Sequence, residues 1–484
     1  MKLNRRIVSD AANISMTNLV IAGTQLAETI ILARMLLPEQ VGLVAVIAVI
    51  VGFVRSFADL GVSNALIHFQ NTSRTTFASL YWLLIVFGVV IFSLFIGCRP
   101  LIFHYWPGSQ LAGLFGWIGL NFLILPFGIL YQFLLQKEMR FRRIAVAEGT
   151  ARCLGTLSLF LLAIGHHGVF SYVGGQIIYT SAKSALLIIA AYRLMPLSFS
   201  FDFSAIRPYL RFGIFQMGER TVTFFAANID YMVIGKFLGT RELGFYKIAY
   251  ELVTVPQRLI NPIFNTLAIP RFAKKQDDDA ALREGVLSML RVLTLITFPL
   301  LFGLAASAKV FIPVVYGPGW GRTVPLLWLL TVMGLSKTLG SVGGSVIVAK
   351  GHVRTGFIWN CIIAAGNGAV FCIVARYGTG TVAAVYSAVS LVYLLLSFRS
   401  YYTVTVGLGM REWVGSFTLS GILSVLMGAA VYGVYLSTGR MHIWPIFELS
   451  ALVLSGVAIY ALLNIFLARE ELTGLWNDVR GKQK

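Results

Sequence analysis

Phe77-Ala-Ser-Leu-Tyr-Trp-Leu-Leu-Ile-Val-Phe-Gly-Val-Val-Ile-Phe-Ser-Leu-Phe-Ile-Gly97 is an uninterrupted run without one charged residue. At about 1.5 Å of rise per residue, a helix of this length covers about 30 Å, the thickness of a bilayer's hydrocarbon core. Similar runs recur on both sides of it. Working outward places spans near 13–33, 42–66, 77–97, 114–135, 146–165, 168–191, 212–235, 243–269, 286–307, 323–348, 355–375, 379–398, 413–436 and 444–467. Several contain Gly or Pro, which membrane helices tolerate when neighbours re-satisfy the backbone. Of the 484 residues 57% are hydrophobic and 12% charged, about half the charge of a water-soluble chain. Connectors are short, the longest hydrophilic one around Arg271–Glu284. The chain reads as an all-α polytopic membrane protein of about 14 transmembrane helices with no separate soluble domain.

The net charge of +19 would suggest a nucleic-acid partner in a soluble protein. In a membrane protein, Lys and Arg gather in cytoplasmic loops, and no nucleic acid is expected. With the N-terminus inside, alternate loops place 23 basic residues on the cytoplasmic side, among them Arg74, Lys137, Arg140, Arg142, Arg143, Arg193, Lys274 and Lys350. The opposite side holds 8: Arg34, Arg99, Lys236, Arg241, Lys309, Arg322, Arg376 and Arg440. That bias puts both termini in the cytoplasm. Arg5-Arg6 resembles a twin-arginine leader, but Asn13, Asn18, Gln25 and Glu28 follow where a leader would be apolar. The segment reads as a first span with a polar stripe. Cys98, Cys153, Cys361 and Cys372 show no CxxC spacing and are expected to be buried small hydrophobes.

Eight basic residues remain inside the spans: Arg55, Arg152, Lys183, Arg220, Lys247, Arg258, Arg291 and Lys337. Six carboxylates join them: Glu28, Asp59, Glu148, Glu219, Asp230 and Glu251. Facing lipid, fourteen such charges would cost on the order of 40 kcal/mol, less for those that snorkel. Most must face protein or a water-filled cavity. Lys247, Glu251, Thr254, Arg258, Asn261 and Asn265 follow steps of three and four, a polar stripe down one helical face. Arg55, Asp59 and Ser63 do the same, and Glu219, Thr223 and Asp230 also align. Arg55–Asp59 and Lys247–Glu251 are i,i+4 pairs that would serve equally as structural ion pairs. Taken as a set, cations outnumber acids, so a cationic lumen is expected. Its substrate contacts would come from the eight bases, and Glu28, Asp59, Glu219, Asp230 and Glu251 are the candidates for ion coupling.

An offset of 202 residues lays Glu28-Thr-Ile-Ile-Leu-Ala-Arg34 on Asp230-Tyr-Met-Val-Ile-Gly-Lys236. At the same offset Leu36 meets Leu238, Gly42 meets Gly244 and Asp59 meets Asn261. This repeat predicts two six-helix lobes, 1–200 and 201–400, related by an axis along the membrane normal. Residues 401–484 add two helices and a short cytoplasmic tail. Two lobes around a central polar cavity is an alternating-access design.

The same residues carry a family resemblance over nearly the whole chain. Ala33-Arg-Met-Leu-Leu-Pro-Glu-Gln-Val-Gly42 with Phe57-Ala-Asp-Leu-Gly61 resembles the opening of the Wzx-type polysaccharide repeat-unit flippases. Leu134-Leu-Gln-Lys-Glu-Met-Arg-Phe-Arg-Arg143 is similar to the branch with the colanic acid and succinoglycan exporters. Asn228–Gly239, Leu243-Gly-Phe-Tyr246, Ile269-Pro-Arg-Phe272 and Val315-Tyr-Gly-Pro-Gly-Trp320 resemble that family's second lobe. The resemblance implies the multidrug/oligosaccharidyl-lipid/polysaccharide superfamily and a bacterial inner-membrane location. It implies as substrate an undecaprenyl-diphosphate-linked oligosaccharide, turned from the inner to the outer leaflet for exopolysaccharide or lipopolysaccharide synthesis. A polymerase and export complex, and H⁺ or Na⁺, would be partners beside the lipid bilayer; no cofactor is implied.

Two rivals make different demands. A cation or drug antiporter of the same superfamily would need an acidic or aromatic lumen. A membrane-embedded polysaccharide polymerase would need a sizeable outer loop. Asp277-Asp-Asp279 contains the D-x-D pattern of glycosyltransferases, but its short loop between Lys275 and Arg283 reads as a solvated charge run. No enzymatic activity is expected.

Overall fold

The computed structural model describes residues 5–69, 72–105, 109–274, 278–438 and 444–467. Fourteen long helices follow one another: α1 Arg5–Met35, α2 Pro38–Phe57, α3 Arg74–Gly97, α4 Ser109–Lys137, α5 Phe141–Ile164, α6 Phe170–Ala191 and α7 Phe203–Phe237. Then come α8 Thr240–Lys274, α9 Asp279–Tyr316, α10 Thr323–Ala349, α11 Val353–Val374, α12 Thr379–Phe398, α13 Met410–Thr438 and α14 Pro445–Leu467. They match the fourteen predicted spans in order, and no strand occurs among the described residues. Eleven are long and apolar enough to cross a membrane by that measure alone. The three that fall short are α1, α7 and α8, where Glu28, then Glu219, Arg220 and Asp230, then Lys247, Glu251 and Arg258 interrupt the apolar pattern. Membrane helices that carry polar faces score low because those faces pack away from lipid.

The second span differs from its expected course. α2 stops at Phe57, and a turn leads into a short helix, Val62–His68. Leu60 and Gly61 both adopt positive φ, 50° and 66°. A Cβ on Gly61 would stand 2.2 Å from the Gly213 carbonyl oxygen, and one on Gly213 would stand 2.1 Å from that of Leu60. The Phe57–Gly61 motif is therefore a break that lets its backbone touch α7. The long hydrophilic connector also shortens, since α8 runs to Lys274 and α9 begins at Asp279. Asp278 caps α9 by accepting from Ala281 N at 3.0 Å, and Asp279 pairs with Lys350 at 2.5 Å. Those two acids of the D-x-D run are thus occupied structurally; Asp277 lies outside the described residues.

The chain forms two compact units, residues 1–244 with 364–372, and residues 245–363 with 373–484. In the first, a core built on Phe77, Leu80, Tyr81, Leu130, Tyr131 and Leu187 joins α3, α4 and α6. The repeat positions meet here directly. A Cβ on Gly42 would lie 1.6 Å from Thr240 O, and one on Gly244 would lie 2.1 Å from Pro38 O. Pro38 and Thr240 are themselves 202 apart, so the contact is reciprocal. In the second unit, Leu290, Leu293, Val342, Tyr402 and Trp413 make the main core. Val310, Met427, Val431 and Leu452 form a smaller cluster that seats α14.

The cysteines depart from expectation. All four are free, but Cys98, Cys153 and Cys372 are exposed and Cys361 half-buried. In a membrane-spanning chain an exposed apolar position faces lipid, which satisfies a weakly polar thiol as well as a protein core does.

Candidate functional site

In the first unit α5 and α6 cross closely: a Cβ on Gly155 would lie 2.7 Å from Tyr179 Cβ, and one on Gly175 2.9 Å from Gly155 O. The crossing presses Tyr179, one turn beyond Gly175, against the charged face of α5. Arg152 stands 4.6 Å from the centre of the Tyr179 ring, Arg55 of α2 5.7 Å and Lys183 5.9 Å. Three cations thus share one ring, each such contact worth about 0.5–2 kcal/mol. The Tyr179 hydroxyl donates to Glu148 at 2.5 Å, and Lys183 Nζ lies 2.7 Å from the other Glu148 oxygen. Glu28 of α1 accepts from Thr156 Oγ1 at 2.7 Å and sits 3.6 Å from Arg152. Arg55 donates to Gln176 and Thr180 at 3.5 and 3.4 Å, and Thr180 donates to Asn121 at 3.0 Å.

The cluster holds three cations against two carboxylates. Arg152 Nε is buried without an acceptor. Arg55, Tyr179 and Lys183 also line a cavity of about 170 Å³, together with Gln132, Thr180 and Ser184. A partly buried site with one positive charge to spare and guanidinium donors left over is suited to an anion.

Asp59 turns the other way. Only 1% exposed, it lies 2.8 and 2.7 Å through its two oxygens from one guanidinium nitrogen of Arg220 on α7, and also accepts from Gly61 N at 3.2 Å. The i,i+4 pairing of Arg55 with Asp59 is therefore not formed: Arg55 points to α6 and Asp59 to α7. Phe53 and Phe57 of α2 and Phe224 and Phe225 of α7 pack edge-on or tilted at centroid distances of 4.8–6.2 Å.

In the second unit Lys247 and Glu251 do pair, at 3.1 Å. Lys337 donates to the Tyr250 hydroxyl at 2.8 Å and lies 4.9 and 5.3 Å from the Tyr250 and Tyr386 ring centres. Arg258 is exposed and donates to the Glu251 carbonyl at 3.1 Å; Arg291 and Glu219 are exposed too. Asp230 is buried, like its repeat counterpart Glu28. Arg55, Arg152, Lys183 and Arg220 belong to the first unit, and Lys247, Arg258, Arg291 and Lys337 to the second. The side chains of Asn13, Asn18, Ser63 and Asn265 lie outside the described residues.

Sequence reasoning missed Tyr179, Tyr250 and Tyr386. Gln176, Tyr179, Thr180 and Lys183 follow steps of three and four, and Glu148, Arg152 and Thr156 steps of four. That periodicity was a usable signal for the α5 and α6 faces.

Residues 31–325 match the sequence profile of a family described as polysaccharide biosynthesis protein. The chain belongs to that family. It is 31% identical over 464 residues, 96% of each chain, to the teichuronic acid biosynthesis protein TuaB of Bacillus subtilis. It is 29% identical to the lipopolysaccharide biosynthesis protein WzxC of Escherichia coli, covering 74% of this chain and 73% of that one. Among solved structures, the inward closed form of the lipid II flippase MurJ superposes with a TM-score of 0.73 at 13% identity, covering 96% of this chain and all of that one. An inward-facing multidrug transporter of the multidrug/oligosaccharidyl-lipid/polysaccharide superfamily gives 0.65 at 15% identity, covering 81% and 98%. This member of the polysaccharide biosynthesis family is a multi-pass membrane protein that shares the fold of those two solved transporters.

Proposed function

We propose that the protein flips undecaprenyl-diphosphate-linked oligosaccharide repeat units from the cytoplasmic to the periplasmic leaflet of the bacterial inner membrane, both its termini facing the cytoplasm. The observation that carries this reading is the partly buried cation surplus around Tyr179. A diphosphate brings about two negative charges, and guanidinium groups bind phosphate oxygens with paired donors. A cation-extruding lumen would need the opposite sign. The lipid tail stays in hydrocarbon while the head group crosses a hydrated, cationic path between two lobes.

The Asp59–Arg220 pair, with the phenylalanines beside it, is the contact that opens when the path faces the cytoplasm. Arg220 then changes partner from Asp59 to the incoming phosphate. Glu28, 3.6 Å from Arg152, is the first coupling candidate; Asp59, Glu219, Asp230 and Glu251 are the others. H⁺ or Na⁺ is the driving ion, and a polymerase receives the product. Deleting the gene should leave lipid-linked repeat units in the inner leaflet and abolish surface polymer, both restored by the intact gene. Surface polymer that persists after deletion would remove the protein from the export route.

A further inference from the structure

The cytoplasmic ends of α5 and α6 frame a second cavity, of about 450 Å³, lined by Arg142, Arg143, Val146, Ala147, Leu186, Ile189 and Ala190. From this we propose a binding site for an anionic phospholipid, its phosphodiester held by Arg142, Arg143 and the first turn of α5, its acyl chain lying on Val146 and Ile189.

Three features converge on one chemistry. Arg143 donates 2.6 Å to the Ala190 carbonyl, which ties the start of α5 to the end of α6 and leaves its other N–H groups for a ligand. Arg142 is exposed on the rim. No acid lies among the lining residues. No side chain caps α5, and no acid stands in its first turn. The opening amides of a helix carry partial positive charge and lack intrahelical partners.

The walls exclude a free phosphate as the natural occupant. Val146 is 60% exposed and Ile189 76%, both inside helices apolar enough to span a membrane. An inorganic anion would leave that surface uncovered, whereas a phospholipid covers it with an acyl chain. Basic residues at a cytoplasmic surface draw anionic lipid by about 1 kcal/mol each. The leaflet assignment rests on the orientation proposed above; the chemistry of the groove does not. The site involves none of the residues around Tyr179, so it is a lipid-recognition site beside the transport path.

The test uses the purified full-length chain in nanodiscs of phosphatidylglycerol or phosphatidylcholine, with bound lipid counted by native mass spectrometry on release. Phosphatidylglycerol should be retained preferentially, and Arg142→Ala should weaken that retention about five-fold. Arg142→Lys should keep most of it. Ile189→Asp, which spoils the acyl wall and leaves both arginines, should lower retention as well. Equal retention of the two lipids by the wild-type chain would overturn the proposal, as would unchanged retention in a folded Arg142→Ala protein. Displacement of phosphatidylglycerol by undecaprenyl phosphate at equal concentration would also overturn it, by assigning the groove to the substrate. Absence of flipping by the wild-type chain, with lipid retention normal, would count against the transport reading alone.

Discussion

Arg220 of α7 and Asp59, in the turn that follows α2, are 161 residues apart and form an ion pair with 2% of the Asp59 side chain exposed. The Arg220 side chain keeps 33% of its surface, so the pair has one wet and one dry partner. Removing Arg220 strands the dry one. An uncompensated buried carboxylate costs about 3–5 kcal/mol, somewhat less here because water reaches the Arg220 side. Arg220→Ala should lower the melting temperature in detergent by several degrees, and adding Asp59→Asn should restore most of the loss. A double variant no better than Arg220→Ala would show that the pair is not the source of the effect.

Tyr179 separates into two functions, a ring for three cations and a hydroxyl for Glu148. Tyr179→Phe keeps the first and should retain most export activity. Tyr179→Leu loses both and should reduce export at least ten-fold, with normal amounts of protein in the membrane. Equal activity in the two variants would place the ring outside the anion site.

The reciprocal contact between Gly42 and Gly244 leaves no room for a methyl group, because each missing Cβ would enter a backbone carbonyl. Gly42→Ala and Gly244→Ala should each cut the yield of folded protein sharply, while Gly113→Ala, with open space around it, should have no effect. Size-exclusion profiles of the three variants check this. Wild-type yields of both core variants would mean that α2 and the start of α8 do not approach as described.

Arg258 is exposed and its guanidinium meets only a backbone carbonyl among the contacts described. Arg258→Ala should leave the protein folded and inserted and stop polymer export, with lipid-linked units accumulating. Lys should rescue only partly, because it lacks the fork geometry. Full export by a stably inserted Arg258→Ala protein would exclude it from the substrate path.

The fold was legible because length and apolarity of single segments decide a membrane helix, and both are local properties. The same locality explains the misses. Nothing near Phe57 announces that Gly61 must meet a glycine 152 positions later, so the break in the second span was invisible. Charged side chains were found by type, but their partners were not. Arg55 and Asp59 stand four residues apart and still separate, because α2 ends at Phe57 between them and α6 and α7 each offer one of them a partner. Tyrosine was overlooked because its ring is apolar in any composition count, although it organises the cations in both units.

The central claim is that an anionic, lipid-linked head group is moved past the cations around Tyr179. Reconstituted vesicles loaded with a labelled undecaprenyl-diphosphate-linked oligosaccharide, and probed by a membrane-impermeant reagent, measure that movement directly. The wild-type protein should expose the inner-leaflet label within the assay, and Arg55→Ala with Lys183→Ala should slow it at least a hundred-fold while the protein stays folded. Unchanged flipping by that double variant, or equal wild-type flipping of a neutral glycolipid lacking the diphosphate, would contradict the account.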